Sequence, residues 1–264
     1  MSLDAMRSHL LVEEGFDIAH LITEDDTPVD NLPSEKQQRL LVEPLYSNWR
    51  PQRTFLAAAN VGIFWDVREQ AIVPDMFLSL DVEVAADWWA QEHRSYFVWE
   101  FGKVPDVVVE VVSNRRGHEA DSKLETYARI GIPYYVIYDP QGFIQSTPLV
   151  VYERKGGVYH RRGDARLEGV GLALTLWEGV FEGRFDRWLR WCTLEGMVIP
   201  TGAERAEFER QRAQEALRLA EEALRQAEEE RRRTQEVLRQ AEEERRRAER
   251  LAARLRSLGL NPDE

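Results

Sequence analysis

The chain has 264 residues, 43% of them hydrophobic, 31% charged and 10% aromatic, and 35 Lys+Arg against 47 Asp+Glu give a formal net charge of −12. Eight Trp, eight Tyr and ten Phe exclude a disordered chain, which lacks the large apolar side chains that drive collapse. No apolar run approaches the roughly 18 residues of a spanning helix, the first residues turn acidic too soon for a secretory signal, and Cys192, the only cysteine, rules out an intramolecular disulfide. A Cys-based zinc site would need ligands from several chains, and the expected setting is a reducing cytoplasm with no membrane contact.

The charge is unevenly spread. Residues 201–264 hold 15 Arg against 16 acidic side chains, so the excess of −11 belongs to the first 200 residues. Taken alone, an acidic body counts against non-specific nucleic-acid binding, which depends on Lys and Arg neutralising phosphates. The expected organisation is an N-terminal arm over 1–30, a folded domain over 31–200, a long helix over 201–258 and a short tail over 259–264.

In chain order, the first predicted element is a helix from Ser34 to about Asn48, following Pro33, with Leu40, Leu41 and Leu45 at helical spacing. Arg53 to Ala59 and Val61 to Val67 read as short strands, and a third should run through Met76 to Leu80 after Val73-Pro74-Asp75. Glu83 to Lys103, rich in Trp and Tyr, reads as a connecting excursion that ends in a strand. Val104 to Ser113 is the clearest central strand, because only a strand covered on both faces carries such a continuous β-branched run. A helix from Glu119 to Arg129 and a buried strand from Tyr134 to Asp139 complete a crossover between parallel neighbours. Later strands near Leu149–Arg154, Val158–Arg161 and Ala173–Leu176 should be antiparallel and more exposed, and Phe181 to Cys192 is expected to form a closing helix. The predicted class is α/β: a mixed sheet flanked by helices, with a long helix appended.

From Glu204 to Arg256 there is no Gly or Pro, and good helix formers dominate. Arg225 to Arg233 returns fourteen residues later as Arg239 to Arg247, which is two heptads. Leu217, Leu224, Arg231, Leu238, Arg245 and Ala252 fall at position a, facing mostly Ala at d. Two readings follow: a solvated helix held by Glu–Arg pairs, or a coiled coil that makes the protein a homo-oligomer. Gly259, before Leu260-Asn261-Pro262, should stop the helix.

One residue of the central strand is out of place. Side chains 106, 108, 110 and 112 share a face, so Glu110 lies beside Val108 and Val112 in an interior where a lone carboxylate must be neutralised, paired or bound to metal. Asp75 opens a neighbouring strand, and the crossover should bring Lys123 back over the strand end. Two carboxylates and a lysine can hold Mg²⁺, or Mn²⁺ in its place, against a scissile phosphate. The bland alternatives are an ion pair of Glu110 with Lys123 or Arg129, and a turn role for Asp75. Arg115 and Arg116, in the loop after the Glu110 strand, could touch a DNA backbone or be ordinary surface arginines. His118 and Arg161-Arg162 read as surface residues, and the tryptophans as core or interface.

The sequence resembles the Uma-two-type family of restriction endonucleases, within the PD-(D/E)xK nuclease superfamily. The resemblance covers roughly residues 30 to 195 and rests on Val73-Pro74-Asp75, Arg94 to Glu100, Lys103 to Ser113, and Lys123 with Tyr127, Gly131, Tyr134, Tyr135, Asp139 and Pro140. It implies a restriction-endonuclease-like fold and a Mg²⁺-dependent endonuclease acting on DNA, with Asp75, Glu110 and the main-chain carbonyl of Val111 as metal ligands and Lys123 as the catalytic lysine. Two departures stand out: Val112 occupies the place of the superfamily's lysine, and Glu119 stands where relatives carry Asp. The alternative is an inactive nuclease-fold scaffold that oligomerises.

Overall fold

The computed structural model describes residues 31–113 and 122–257. Two compact units divide the chain, residues 1–203 and 204–264.

In the first unit, helix α1 (Leu32–Asn48) starts where Asn31 accepts a bond from the Ser34 amide at 3.1 Å, with a proline in the first turn. That is the arrangement expected of a helix whose first amides have no internal partner. A six-stranded sheet follows in the order β1 (Phe55–Ala59), β3 (Met76–Leu80), β5 (Val107–Val111), β6 (Tyr134–Tyr138), β7 (Leu149–Lys155), β8 (Val158–Arg161). Only β5 and β6 are parallel neighbours, joined through α3 (Ser122–Ile130). The other pairs are antiparallel. A parallel pair β2 (Ile63–Phe64) and β4 (Tyr96–Phe97) lies beside this sheet, and β4 leads through the short helix α2 (Val98–Phe101) toward β5.

Both faces of the sheet are covered, which is why β5 and β6 are apolar almost throughout. Val107, Val109 and Val111 pack with Leu41 and Leu45 of α1 and with Leu189 and Trp191. Val108 and Val112 point the other way, against Tyr127 and Ile130 of α3. Glu110 shares this second face, so the strand period carries a carboxylate into the apolar layer under α3.

Phe181 to Cys192 does not form a helix. Strands β9 (Arg166–Leu167), β10 (Leu172–Phe181) and β11 (Arg184–Cys192) make an antiparallel sheet, and Glu182 and Gly183 turn between β10 and β11 with φ of 45° and 76°. A two-residue connection with both residues at positive φ matches the twist of a hairpin, and Trp177 opposite Trp188 and Leu176 opposite Leu189 lock the register. Phe185, Trp188, Leu189 and Cys192 happen to fall at helical spacing, but cross-strand aromatic packing decides the outcome. The tryptophans divide as well: Trp188 and Trp191 are buried, whereas Trp88 and Trp89 are exposed.

The described residues of the second unit belong to one helix, α4 (Gly202–Ser257), whose first two residues fall in the first unit. Its described side chains are almost all exposed, including Leu217, Leu224 and Leu238, and pairs such as Arg233–Glu229 and Arg218–Glu222 run along it one turn apart. The predicted stop at Gly259 lies outside the described residues. Among the described residues, no helix is long and apolar enough to cross a membrane.

Candidate active site

The site forms where β3 begins and β5 ends. Asp75 directly precedes β3, and its two oxygens are held separately: Oδ2 accepts the Val111 amide at 2.6 Å and Oδ1 accepts Gln38 Nε2 at 2.9 Å. Gln38 is itself fixed, since its Oε1 accepts Asn60 Nδ2 at 2.8 Å. Asn60 holds the turn after β1 at a φ of 53°, a left-handed conformation that asparagine tolerates better than most residues.

Glu110 is 1% exposed. Its Oε2 accepts Lys123 Nζ at 2.8 Å and its Oε1 accepts the Tyr127 hydroxyl at 2.7 Å. Burial pushes the Glu110 carboxyl above its ordinary range, and Lys123, Tyr127 and Asp75 pull it back only in part. Tyr127 is driven far above the usual phenol value, first by burial and then by the Glu110 carboxylate.

Asp75, Glu110, Val111 and Lys123 are thus brought together. Val111 meets Asp75 through its N–H. Arg115, Arg116, His118 and Glu119 lie outside the described residues. Arg129 does not pair with Glu110; it lies over the Trp65 ring, 4.7 Å from the centroid. The second Pro-Asp dipeptide serves the sheet instead. Asp106 Oδ2 accepts Lys103 Nζ at 2.6 Å and the Leu80 amide at 2.7 Å, clasping the start of β5 to the end of β3.

Among the described residues, no group of three or more His, Cys, Asp or Glu is placed to hold a metal ion. The candidate donor set is smaller: Asp75, which accepts the Val111 amide, and Glu110, the residue before it on β5. Mg²⁺ uses one or two protein carboxylates while keeping its waters. The all-oxygen set fits a hard cation of that kind.

A family model described as "Uma2: Putative restriction endonuclease" matches residues 25–175, more than half of the chain. The chain belongs to the Uma2 family. The matched residues form the mixed sheet with flanking helices expected of that membership, and the long helix α4 lies beyond them. A crystal structure from Anabaena variabilis ATCC 29413, titled as that of "a putative nuclease belonging to DUF820", is similar at 14% identity and a TM-score of 0.36, covering 52% of this chain and 71% of that one. No curated protein matches the chain.

Two contributors to this Uma2 site have no role assigned from the sequence. Gln38 is a buried amide on the face of α1 that carries Leu41 and Leu45, and a polar residue in that stripe is its only signal. Tyr127 is one of the residues that carry the family resemblance, and its position four residues after Lys123, on the same helix face, is the signal that ties it to Glu110.

Proposed function

We propose that this Uma2 protein is a divalent-metal-dependent endonuclease that hydrolyses DNA phosphodiester bonds, with Asp75 and Glu110 as metal ligands, the Val111 carbonyl beside them, Lys123 as the catalytic cation, and Arg115 and Arg116 as DNA contacts. The observation that carries this reading is the convergence at one sheet edge of Asp75, which accepts the Val111 amide, and Glu110, the residue before it on β5, with Lys123 Nζ 2.8 Å from Glu110. A nuclease family supports DNA as the substrate. Bound Mg²⁺ or Mn²⁺ would lower the pKa of a water and offset charge on the phosphate.

The chain's own residues do the rest. Gln38 and the Val111 amide hold Asp75 in one rotamer. Tyr127 and Lys123 fix Glu110 from two directions. Lys123, 28% exposed at its side chain, is the member of the group that can turn its ammonium toward a phosphate oxygen or an attacking water, as a compact rotatable donor. The layer of Val108, Val112 and Tyr127 keeps bulk water from the inner side of Glu110 and raises the strength of every charge interaction there.

One observation favours a second reading, an inactive scaffold: Val112 is buried in the apolar face where the superfamily pattern puts its lysine. Incubation with supercoiled plasmid and Mg²⁺ or Mn²⁺ separates the two. The nuclease reading expects nicking by the wild type and its loss in Glu110→Gln; equal nicking by the variant sinks the assignment.

We also infer that α4 self-associates, giving a homo-oligomer with two active sites available for two strands. Its exposed Leu217, Leu224 and Leu238 at heptad spacing support this. Light scattering should show a lower oligomeric order after removal of residues 204–264, and an unchanged monomer mass would refute it.

A further inference from the structure

Lys123 has a second environment besides Glu110. It lines a cleft of about 540 Å³ between α3, which contributes Thr126 and Arg129, and the segment after β2, which contributes Trp65, Arg68 and Glu69. Lys123 is therefore shared between this cleft and the carboxylate site. Positions 123, 126 and 129 form a ridge three residues apart on α3, and at about 1.5 Å rise per residue Lys123 and Arg129 stand about 9 Å apart along the helix.

The two arginines of the cleft are not equivalent. Arg68 is committed to its own loop: Nε and Nη2 donate to the two oxygens of Asp66 at 3.0 and 2.7 Å, and the pair holds the Asp66 carboxyl down at about 2. Arg129 is held differently. Its guanidinium lies over the Trp65 ring, and its ion pair with Glu69 is long, at 4.0 Å. A ring face orients a guanidinium without using its N–H donors. Arg129 is thus a pre-oriented planar cation in a cleft that also holds Lys123, on a body whose charge is otherwise strongly negative.

We propose that this cleft takes a DNA strand and that Arg129, seated on Trp65, binds a backbone phosphate neighbouring the phosphodiester at Lys123. The inference rests on the nuclease reading and adds to it the track of the substrate. The shared chemistry is the phosphodiester backbone, so the contact carries affinity and register and no base sequence. Glu69 is its built-in competitor, occupying the guanidinium when no strand is bound.

The test uses the full-length chain and a short DNA duplex in EDTA, so that binding is read without cleavage, across a series of salt concentrations. Arg129→Ala should weaken binding roughly 5- to 10-fold and lower the slope of log K against log salt by about 0.9, the share of one phosphate contact. Arg129→Lys should keep most of the slope, and Glu69→Gln should bind more tightly than the wild type, a gain that a merely structural role would not produce. Arg53→Ala, in a separate cleft, should change nothing. In plasmid nicking, Arg129→Ala should raise KM and leave kcat nearly intact. If the wild type nicks plasmid while Arg129→Ala binds with unchanged affinity and slope, the inference is overturned and the nuclease reading stands. A wild type that neither binds nor nicks DNA overturns both, and an effect of Arg129→Ala on a matched RNA duplex alone overturns DNA as the occupant.

Discussion

The same kind of ion pair appears in two settings. In the domain, Lys123 meets a Glu110 that is 1% exposed; along α4, Arg218 meets Glu215 and Glu222 with all three side chains more than half exposed. In water such a pair gains little, because the charges are solvated before and after they meet. In the interior, the carboxylate has surrendered its hydration, and each neighbour that contacts it carries part of the compensation. A charged residue therefore says little about function on the helix and a great deal under α3.

The largest effect should come from breaking the buried pair. Lys123→Met leaves Glu110 with an uncompensated charge, and urea unfolding near pH 8 should show a loss of about 3 kcal/mol. The loss should shrink toward pH 5, where the carboxyl can take up a proton instead. An equal loss at both pH values would mean that Lys123 acts through packing alone.

Next is Tyr127→Phe, which keeps the ring and removes the donor. A buried acceptor deprived of one partner should cost about 1–3 kcal/mol, and the variant's Mn²⁺ affinity should fall roughly 10-fold or more, since groups that orient ligands weigh on metal binding. Unchanged metal affinity would remove Tyr127 from the site.

The pH dependence sharpens the comparison without removing a contact. Because burial raises the folded-state Glu110 above its ordinary value of 4.5, the folded protein holds a proton there that the unfolded chain has released. Stability from this group therefore falls as pH rises from about 4.5 through the raised folded value. Glu110→Gln should flatten that decline, and saturating Mg²⁺ should offset it in the wild type by favouring the ionised form. A wild type and Gln variant with parallel stability profiles would contradict the burial account.

The smallest effect belongs to the helix. Arg218→Met should leave the unfolding midpoint of the domain unmoved. A measurable shift would show that the exposed pairs are not solvated as described.

Much of this was legible in the sequence where burial and residue type disagree. Glu110 stood out because its strand is otherwise apolar, and the β5–α3–β6 unit because continuous β-branched runs have few uses other than a doubly covered strand. The β10–β11 hairpin was not, since Phe185, Trp188, Leu189 and Cys192 satisfy a helical period as well as a strand, and Glu-Gly is not the most familiar of hairpin turns. Val73-Pro74-Asp75 and Val104-Pro105-Asp106 look alike as tripeptides, yet one Asp accepts the Val111 amide next to Glu110 and the other clasps a sheet end. Only the third dimension distinguishes them. Gln38 is not legible in the sequence, because a neutral amide next to Gln37 carries no visible cost until its partner, Asp75, is known.

The proposed metal site joins the buried Glu110 to Asp75, which holds the next residue's amide. Titration calorimetry of the full-length protein with Mn²⁺, run beside Asp75→Asn, tests it most directly. One saturable site per chain in the wild type, lost in the variant, is the predicted result; absence of binding in the wild type, or equal binding by both, would contradict it.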